Sequence, residues 1–286
     1  MNRNSTLIFL LVPVVFSSCA RRSYYLSPFN GNATTYYAKP LLADSAKSAT
    51  YFSATFTAGR PNNQYYTYDG DGYEKQLTDN LKAFQFSFHR SHTSKYFQAY
   101  YGASFTTGTY EVTRFDSLHY YGNYANADLS KILGGHKYFA GAGLVGGINL
   151  VMPFRRGHEW RVLGIETSIG KEWGDYLDFR KSMPDSSATA ISKNDHYGYI
   201  GLTSELVFKK RQNAFGIKWA LGTSLYRTIE LGKSDLRTTY VVPLYFSTTF
   251  QYSRPKFTVF TQINATEHAE SVQLGASYKL SKIHHR

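Results

Sequence analysis

Side chains of alternating polarity recur along this chain in ten segments between about residue 49 and the carboxyl terminus. In the first segment Phe52, Ala54 and Phe56 share one face, while Ser53 and Thr55 share the other. Because successive side chains of a β-strand point to opposite sides of the sheet, a period of two predicts strands and not helices. Each segment is also long enough to cross a bilayer as a tilted strand of about 9 to 11 residues.

The composition of the two faces separates a membrane barrel from a soluble sandwich. The polar faces hold mostly Ser, Thr, Gln, Gly and Tyr, whereas the water-exposed face of a soluble sheet carries many charges. Aromatic residues make up 17% of the chain although the mean hydropathy is −0.38, a combination typical of strands that alternate between lipid and lumen. We therefore predict an all-β fold, a closed antiparallel transmembrane β-barrel of about ten strands over residues 49–286.

The connections between the segments support a barrel with two different ends. Four are short, near 89–95, 153–158, 209–213 and 253–256, and three are long, near 61–80, 107–134 and 174–195. Two more, after Glu230 and Ala265, are of intermediate length. Barrels of the bacterial outer membrane have short periplasmic turns and longer outer loops, so both termini are expected on the periplasmic side.

The net charge of +12 is concentrated at the short turns. They contain Arg90, Lys95, Arg155, Arg156, Lys209, Lys210, Arg211, Arg254 and Lys256, whereas the first long connection contains Asp69, Asp71, Glu74 and Asp79. A basic rim of this kind favours anionic lipid headgroups or an acidic periplasmic or membrane protein as a partner. Nucleic acid is not expected, because the basic residues lie in separate turns without a nucleic-acid-binding motif around them.

The amino terminus has the features of an export signal. Arg3 precedes an apolar stretch from Leu7 to Phe16, and the chain's single cysteine, Cys19, follows two serines. This arrangement resembles a bacterial lipobox, which implies that residues 1–18 are removed and that Cys19 is acylated, with palmitate among its acyl chains. Residues 19–48 would then form a tether that either lies free or folds into the lumen as a plug; composition does not decide between the two.

Two further stretches carry a family resemblance. Gln273–Leu280 places apolar and aromatic residues at alternate positions after a glycine, and Tyr36–Leu42 combines tyrosines with a Pro-Leu pair. Together with the lipobox, these stretches resemble the β-barrel lipoproteins of Bacteroidota outer membranes, most of which have no assigned activity. The resemblance implies location and fold, and the basic residues after Cys19 imply an anchor in the inner leaflet of that membrane.

Candidate chemistry is sparse and lies at the predicted outer rim. Asp69 and Asp71 alternate with glycines, but further calcium ligands at regular spacing are missing, which favours an ordinary turn. With Asp195 and His196 they resemble the acidic and Asp/His pairs of the omptin proteases, although the spacing matches poorly. A lipid A hydrolase using His196 has no distinctive motif. No metal or cofactor is expected, and an enzyme is the less favoured interpretation.

The lumen supplies the remaining prediction. If the sixth and seventh segments form a hairpin around Arg211 and Gln212, then Glu205 lies opposite Lys218 and both point inward as an ion pair. The sequence thus predicts a lipid-anchored outer-membrane barrel with a filled lumen and a structural or partner-binding role. A narrow channel is the first alternative, and a hydrolase at the outer rim, acting on lipid A or peptides, is the second.

Overall fold

A computed structural model describes residues 24–32, 34–41, 44, 47–61, 65–68, 74–77, 79–112, 135–154, 158–183, 190–231, 238–266 and 268–280. Cys19, the predicted signal peptide at 1–18, and Asp69 and Asp71 of the first long connection lie outside these residues.

The described part of the chain is almost entirely β-structure. Its strands are β1 (Tyr24–Tyr25), β2 (Ser48–Pro61), β3 (Tyr65–Tyr68), β4 (Glu74–Leu77), β5 (Asn80–Thr93), β6 (Phe97–Val112), β7 (Gly135–Pro153), β8 (Glu159–Trp173), β9 (Ala190–Ile191), β10 (His196–Lys210), β11 (Asn213–Ser224), β12 (Thr228–Leu231), β13 (Thr238–Val241), β14 (Leu244–Ser253), β15 (Phe257–Thr266) and β16 (Ala269–Leu280). The helix within the described residues is α1 (Asp175–Ser182).

Ten of these strands close into one antiparallel barrel. The order around it is β10, β11, β14, β15, β16, β2, β5, β6, β7 and β8, and β8 pairs again with β10. Each barrel strand coincides with one of the ten alternating segments, so the predicted fold class and strand number are confirmed. Closure leaves the barrel without the unpaired sheet edge that an open sheet presents to other chains.

The outer face of the barrel is apolar along every strand. Exposed outward-facing side chains include Phe52, Phe86, Leu144, Ile165, Leu202, Leu221, Phe246, Ile263 and Leu274. An apolar outside and a polar inside are the reverse of a water-soluble barrel, and they place the lipid on the outside. Among the described residues, none of the helical structure is long and apolar enough to cross a bilayer.

The two ends of the barrel differ in their connections. One end, here called the turn mouth, has the connections 94–96, 154–158, 211–212 and 254–256. The other, the loop mouth, has the connections 62–79, 113–134, 174–195, 225–243 and 267–268. The last of these corrects the prediction of an intermediate loop after Ala265: it is a two-residue turn, in which the Thr266 hydroxyl accepts hydrogen bonds from the backbone N–H groups of His268 and Ala269.

The loop mouth is covered by a small sheet and by α1. In the sheet, β1 pairs in parallel with β9, β9 pairs with β12, and β12 pairs with β13. Helix α1 follows Gly174, whose φ of 117° favours glycine, and acidic residues in its first turn suit the positive end of the helix dipole. Arg180 of α1 is fully buried, pairs with Glu172 of β8 and donates a hydrogen bond to the carbonyl of Ser192. The pair fixes α1 to the barrel wall.

Candidate functional site

The lumen of the barrel is occupied by the chain's own amino-terminal segment. Residues 24–41, here called the plug, precede β2, and its aromatic residues Tyr25, Phe29, Tyr36 and Tyr37 are almost completely buried. The plug is held by its backbone as well as by its side chains. Over residues 34–41 its backbone carbonyls do not pair with another strand, and side chains of the barrel strands donate hydrogen bonds to them instead. The Gln262 amide donates to the carbonyl of Thr34 at 3.3 Å. The tether that the sequence left undecided is thus inside the barrel over these residues.

Ring stacking ties the plug to the barrel wall at two levels. Near the loop mouth the rings of Phe29 and Tyr197 lie parallel with centroids 4.0 Å apart. Lower in the lumen the ring of Tyr37 stacks on Tyr100 at 5.0 Å. Close approach of this kind requires small residues on the wall: a Cβ at Gly147 would come within 2.6 Å of the Tyr100 ring. The glycines of β7 provide room for the rings.

The predicted hairpin between β10 and β11 has the predicted register. Glu205 is paired with Lys218, and the turn consists of Arg211 and Gln212, with Arg211 at a φ of 56°. Both charged side chains face the lumen and are buried. The expected ion pair between them is nevertheless replaced by contacts with other partners, because the lumen offers each of them a closer opposite charge.

Glu205 is bound by three groups from two elements. Its Oε2 lies 2.6 Å from Nη1 of Arg161 on β8 and 3.5 Å from Nζ of Lys39 in the plug. Its Oε1 accepts a hydrogen bond of 2.9 Å from the Tyr36 hydroxyl, also in the plug. The carboxylate therefore joins the barrel wall to the plug, and its charge is compensated from both sides.

Lys218 is bound by an acidic residue of β8, two strands away around the barrel. Its Nζ lies 2.6 Å from Oε2 of Glu166 on β8, and the same oxygen accepts a hydrogen bond of 3.2 Å from the Tyr100 hydroxyl. Tyr100 in turn stacks on Tyr37 of the plug. This second contact set lies beside the Glu205 set and also ends on the plug.

The charges bound around Glu205 and Glu166 balance, three against three. Glu159, whose Oε2 is 3.5 Å from Nη2 of Arg161, completes a set of three carboxylates, Glu159, Glu166 and Glu205, facing three cations, Lys39, Arg161 and Lys218. A buried charge without compensation is strongly destabilising, and one of the three cations comes from the plug. The charges of the barrel wall are therefore fully compensated only when the plug is bound. We refer to these six residues as the lumen charge cluster.

Arg161 was not predicted, since the strand pattern placed it on the wrong face. Strict alternation from Leu163 and Ile165, which face outward, would put Arg161 outside as well. The pairing of β8 shifts between Leu163 and Arg161, where Val162 is passed over, and this bulge turns Arg161 inward. The signal that was available is energetic: a strand arginine inside the lipid-crossing part is costly unless it faces the lumen.

The rim candidates are only partly described. Asp195 and His196 lie at the loop mouth, where the Asp195 Oδ1 is 2.7 Å from the His196 Nδ1 and its Oδ2 is 3.6 Å from Lys171 Nζ. The pKa of the Asp195 carboxyl is lowered: its slight burial acts in the opposite direction but is outweighed by His196 and by the cations Lys171 and Lys181. An exposed pair of this kind is an ordinary surface contact, and Asp69 and Asp71 lie outside the described residues.

A metal centre has no support in the described ranges. They contain no group of three or more His, Cys, Asp or Glu side chains arranged to hold a metal ion.

No family model matches the chain, and no curated protein matches it. Solved structures do show similarity. The β-domain of the Bordetella autotransporter BrkA is 10% identical, with 82% of this chain and 99% of that chain covered and a TM-score of 0.41. An outer-membrane channel of Pseudomonas putida F1 is 9% identical, with 85% and 100% covered and a TM-score of 0.37. The outer-membrane protease OmpT of Escherichia coli is 8% identical, with 82% and 96% covered and a TM-score of 0.32.

These similarities concern architecture. The three proteins differ in what their names say they do, and at such identities and TM-scores none of them carries an argument about the activity of this chain. The fold assignment rests on the closed ten-stranded barrel itself.

Proposed function

We propose that the protein is a non-conducting barrel of the bacterial outer membrane, with a structural or partner-binding role. The observation that carries this proposal is the plug, which contacts the wall from the loop mouth to the turn mouth and supplies Lys39 to the lumen charge cluster. A barrel of this size has room for little more than its own side chains, and here an additional peptide segment shares that space. An apolar exterior on every strand supports the membrane location.

Ion conductance tests the proposal. The purified protein, incorporated into planar lipid bilayers, is expected to show no regular current steps. The variant Tyr36→Ala with Lys39→Ala removes two of the plug's contacts with Glu205 and is expected to allow openings. Tyr101→Ala, on the lipid face, serves as the matched control and should remain silent. Regular current steps from the unaltered protein would favour the channel alternative instead.

The turn mouth supports the second part of the proposal, contact with anionic headgroups or with an acidic partner. Among its described residues, the exposed cations include Lys47, Arg90, Lys95, Lys210, Arg211, Arg254 and Lys256. Such a ring attracts negative charge within a Debye length, about 8 Å at physiological ionic strength. We expect anionic lipid to raise the thermal midpoint in nanodiscs, and Lys210→Gln with Lys256→Gln to reduce that increase. An unchanged increase would contradict headgroup binding by this ring.

The lipid anchor is the third part of the proposal. It rests on the apolar stretch before Cys19 and on the resemblance to a lipobox. Cells grown with a labelled fatty acid should incorporate label into the unaltered protein and not into Cys19→Ala. Label retained by the alanine variant would contradict acylation at this position.

A further inference from the structure

The plug begins at the loop mouth. Tyr24 and Tyr25 form β1, which pairs with Ala190 and Ile191 in the sheet that covers this mouth. The Tyr24 ring also stacks at 4.2 Å on His268, which lies in the connection between β15 and β16. Both partners belong to loop-mouth connections, so two independent contacts place Tyr24 at the loop-mouth end of the barrel.

From there the plug descends through the lumen in chain order. Ser27 donates a hydrogen bond of 2.7 Å to Glu172, one residue before the loop-mouth end of β8. Asn32 accepts from Ser271, which is still close to the loop mouth. Tyr36 reaches Glu205, which lies nearer the turn-mouth end of β10.

The plug ends at the turn mouth. The carbonyl of Pro40 accepts hydrogen bonds from Thr93 at 2.7 Å and from Gln98 at 2.9 Å, on either side of the 94–96 turn. Asp44 lies 3.3 Å from Lys209, beside the 211–212 turn, and Ser48 then begins β2 at the same mouth. The order of contacts along the plug therefore matches the order of levels along the barrel.

We propose that the chain is threaded through its own barrel, so that the residues before Tyr24 emerge at the loop mouth. The carboxyl-terminal strand β16 ends with Leu280 at the opposite mouth, where it pairs with the start of β2. This proposal differs from the expectation that both termini lie on the turn side. It concerns the relative position of chain and barrel, and it holds whichever way the barrel is oriented in the membrane.

The threading has a consequence for an acyl anchor. Tyr24 is the fifth residue after Cys19, and five extended residue steps reach about 17 Å. The hydrocarbon core of a bilayer is about 30 Å thick, so this reach is too short to return to the turn side. If Cys19 is acylated, its chains enter the leaflet at the loop mouth. With the loops facing outward, that is the outer leaflet, and the protein presents its amino-terminal end at the cell surface.

Cysteine labelling tests the threading. Three variants are compared: Ser23→Cys just before the plug, Lys171→Cys at the loop mouth and Gln212→Cys in the turn mouth. Each is treated with a membrane-impermeant maleimide on intact cells, on permeabilised cells and after denaturation, with the unaltered protein as background. Lys171 is exposed and Gln212 lies in an exposed turn, so each reports its own mouth.

The proposal expects Ser23→Cys to react under the same conditions as Lys171→Cys. Reaction under the conditions of Gln212→Cys would overturn it, and so would reaction only after denaturation, since the position would then be enclosed in protein. If Lys171→Cys and Ser23→Cys both require permeabilisation while Gln212→Cys does not, the threading stands and the assumed orientation of the barrel is reversed.

Discussion

At the scale of single residues, Arg161 organises the lumen. Its guanidinium lies against Glu205 and Glu159, and the planar group can hold two carboxylates at once in a way that a lysine ammonium does not. Glu205 then carries two groups of the plug, Lys39 and Tyr36. Arg161 thus holds from the wall the same carboxylate that both plug groups bind.

The partner of Lys218 leads to a double-variant prediction. Lys218→Met leaves Glu166 buried without its cation, and breaking a buried pair in this way costs about 3 to 5 kcal/mol of unfolding free energy. The thermal midpoint of the barrel in detergent should fall accordingly. Adding Glu166→Gln should recover part of the loss, because the stranded charge is then removed.

The contrasting variant uses the residue that lies opposite Lys218 in the hairpin. Adding Glu205→Gln to Lys218→Met should not recover stability, since Glu205 neutralises Arg161 and Lys39 and its loss strands those cations. Equal recovery by the two additions would show that Lys218 is shared between both carboxylates. Double-variant analysis of this kind distinguishes the residue that binds Lys218 from the residue that merely lies opposite it in the strand pairing.

How far the sequence predicts this site depends on the distance over which a pattern acts. The pairing of Glu205 with Lys218 follows from the alternation and a two-residue turn, and it is found. Their actual partners come from β8 and the plug, which no local pattern relates to this hairpin. Arg161 escapes prediction because one bulge at Val162 reverses the faces of the residues before it.

At the scale of elements, the plug differs from the barrel strands in how its backbone is satisfied. Residues 34–41 form no ladder, and wall side chains such as Ser91 and His89 bond the carbonyl of Ala38. Without a ladder the segment has no period of two, so alternation of side chains could not assign it a structure. Its first part is compact instead, with a turn in which Asn30 N–H donates to the Ser27 carbonyl at 2.9 Å.

Gly31 in this turn provides an element-scale prediction. Its φ is 80°, and a Cβ there would lie 2.5 Å from Cγ2 of Thr266 on the wall. Gly31→Ala should therefore combine the backbone cost of the left-handed region, about 1 to 2 kcal/mol, with a steric displacement of the plug. The expected result is a lower thermal midpoint in detergent.

Gly135→Ala is the matched control for this prediction. Gly135 also has a positive φ, 106°, but a Cβ there meets no atom within 4 Å. The difference between the two variants reports the contact of the plug with the wall. Equal losses of stability would show that backbone conformation alone sets the cost and that the turn of the plug does not press on Thr266.

At the scale of the whole molecule, the barrel and its plug form one closed unit with two unlike mouths. The loop mouth carries the small sheet, α1 and the start of the plug. The turn mouth carries exposed cations and the carboxyl-terminal end of β16. The apolar exterior determines that the barrel crosses a membrane, and the difference between the mouths determines that its two orientations are not equivalent.

Limited proteolysis of intact cells tests the orientation. With loops outward, trypsin should first cut after Lys181, which is exposed in the last turn of α1, and not at neighbouring Arg180, which is buried against Glu172. Lys210 and Arg211 in the turn mouth should be cut only after permeabilisation. Arg180→Gln provides an internal control, since loss of its ion pair should loosen α1 and accelerate cleavage at Lys181. First cleavage at Lys210 or Arg211 on intact cells would place the turn mouth outside.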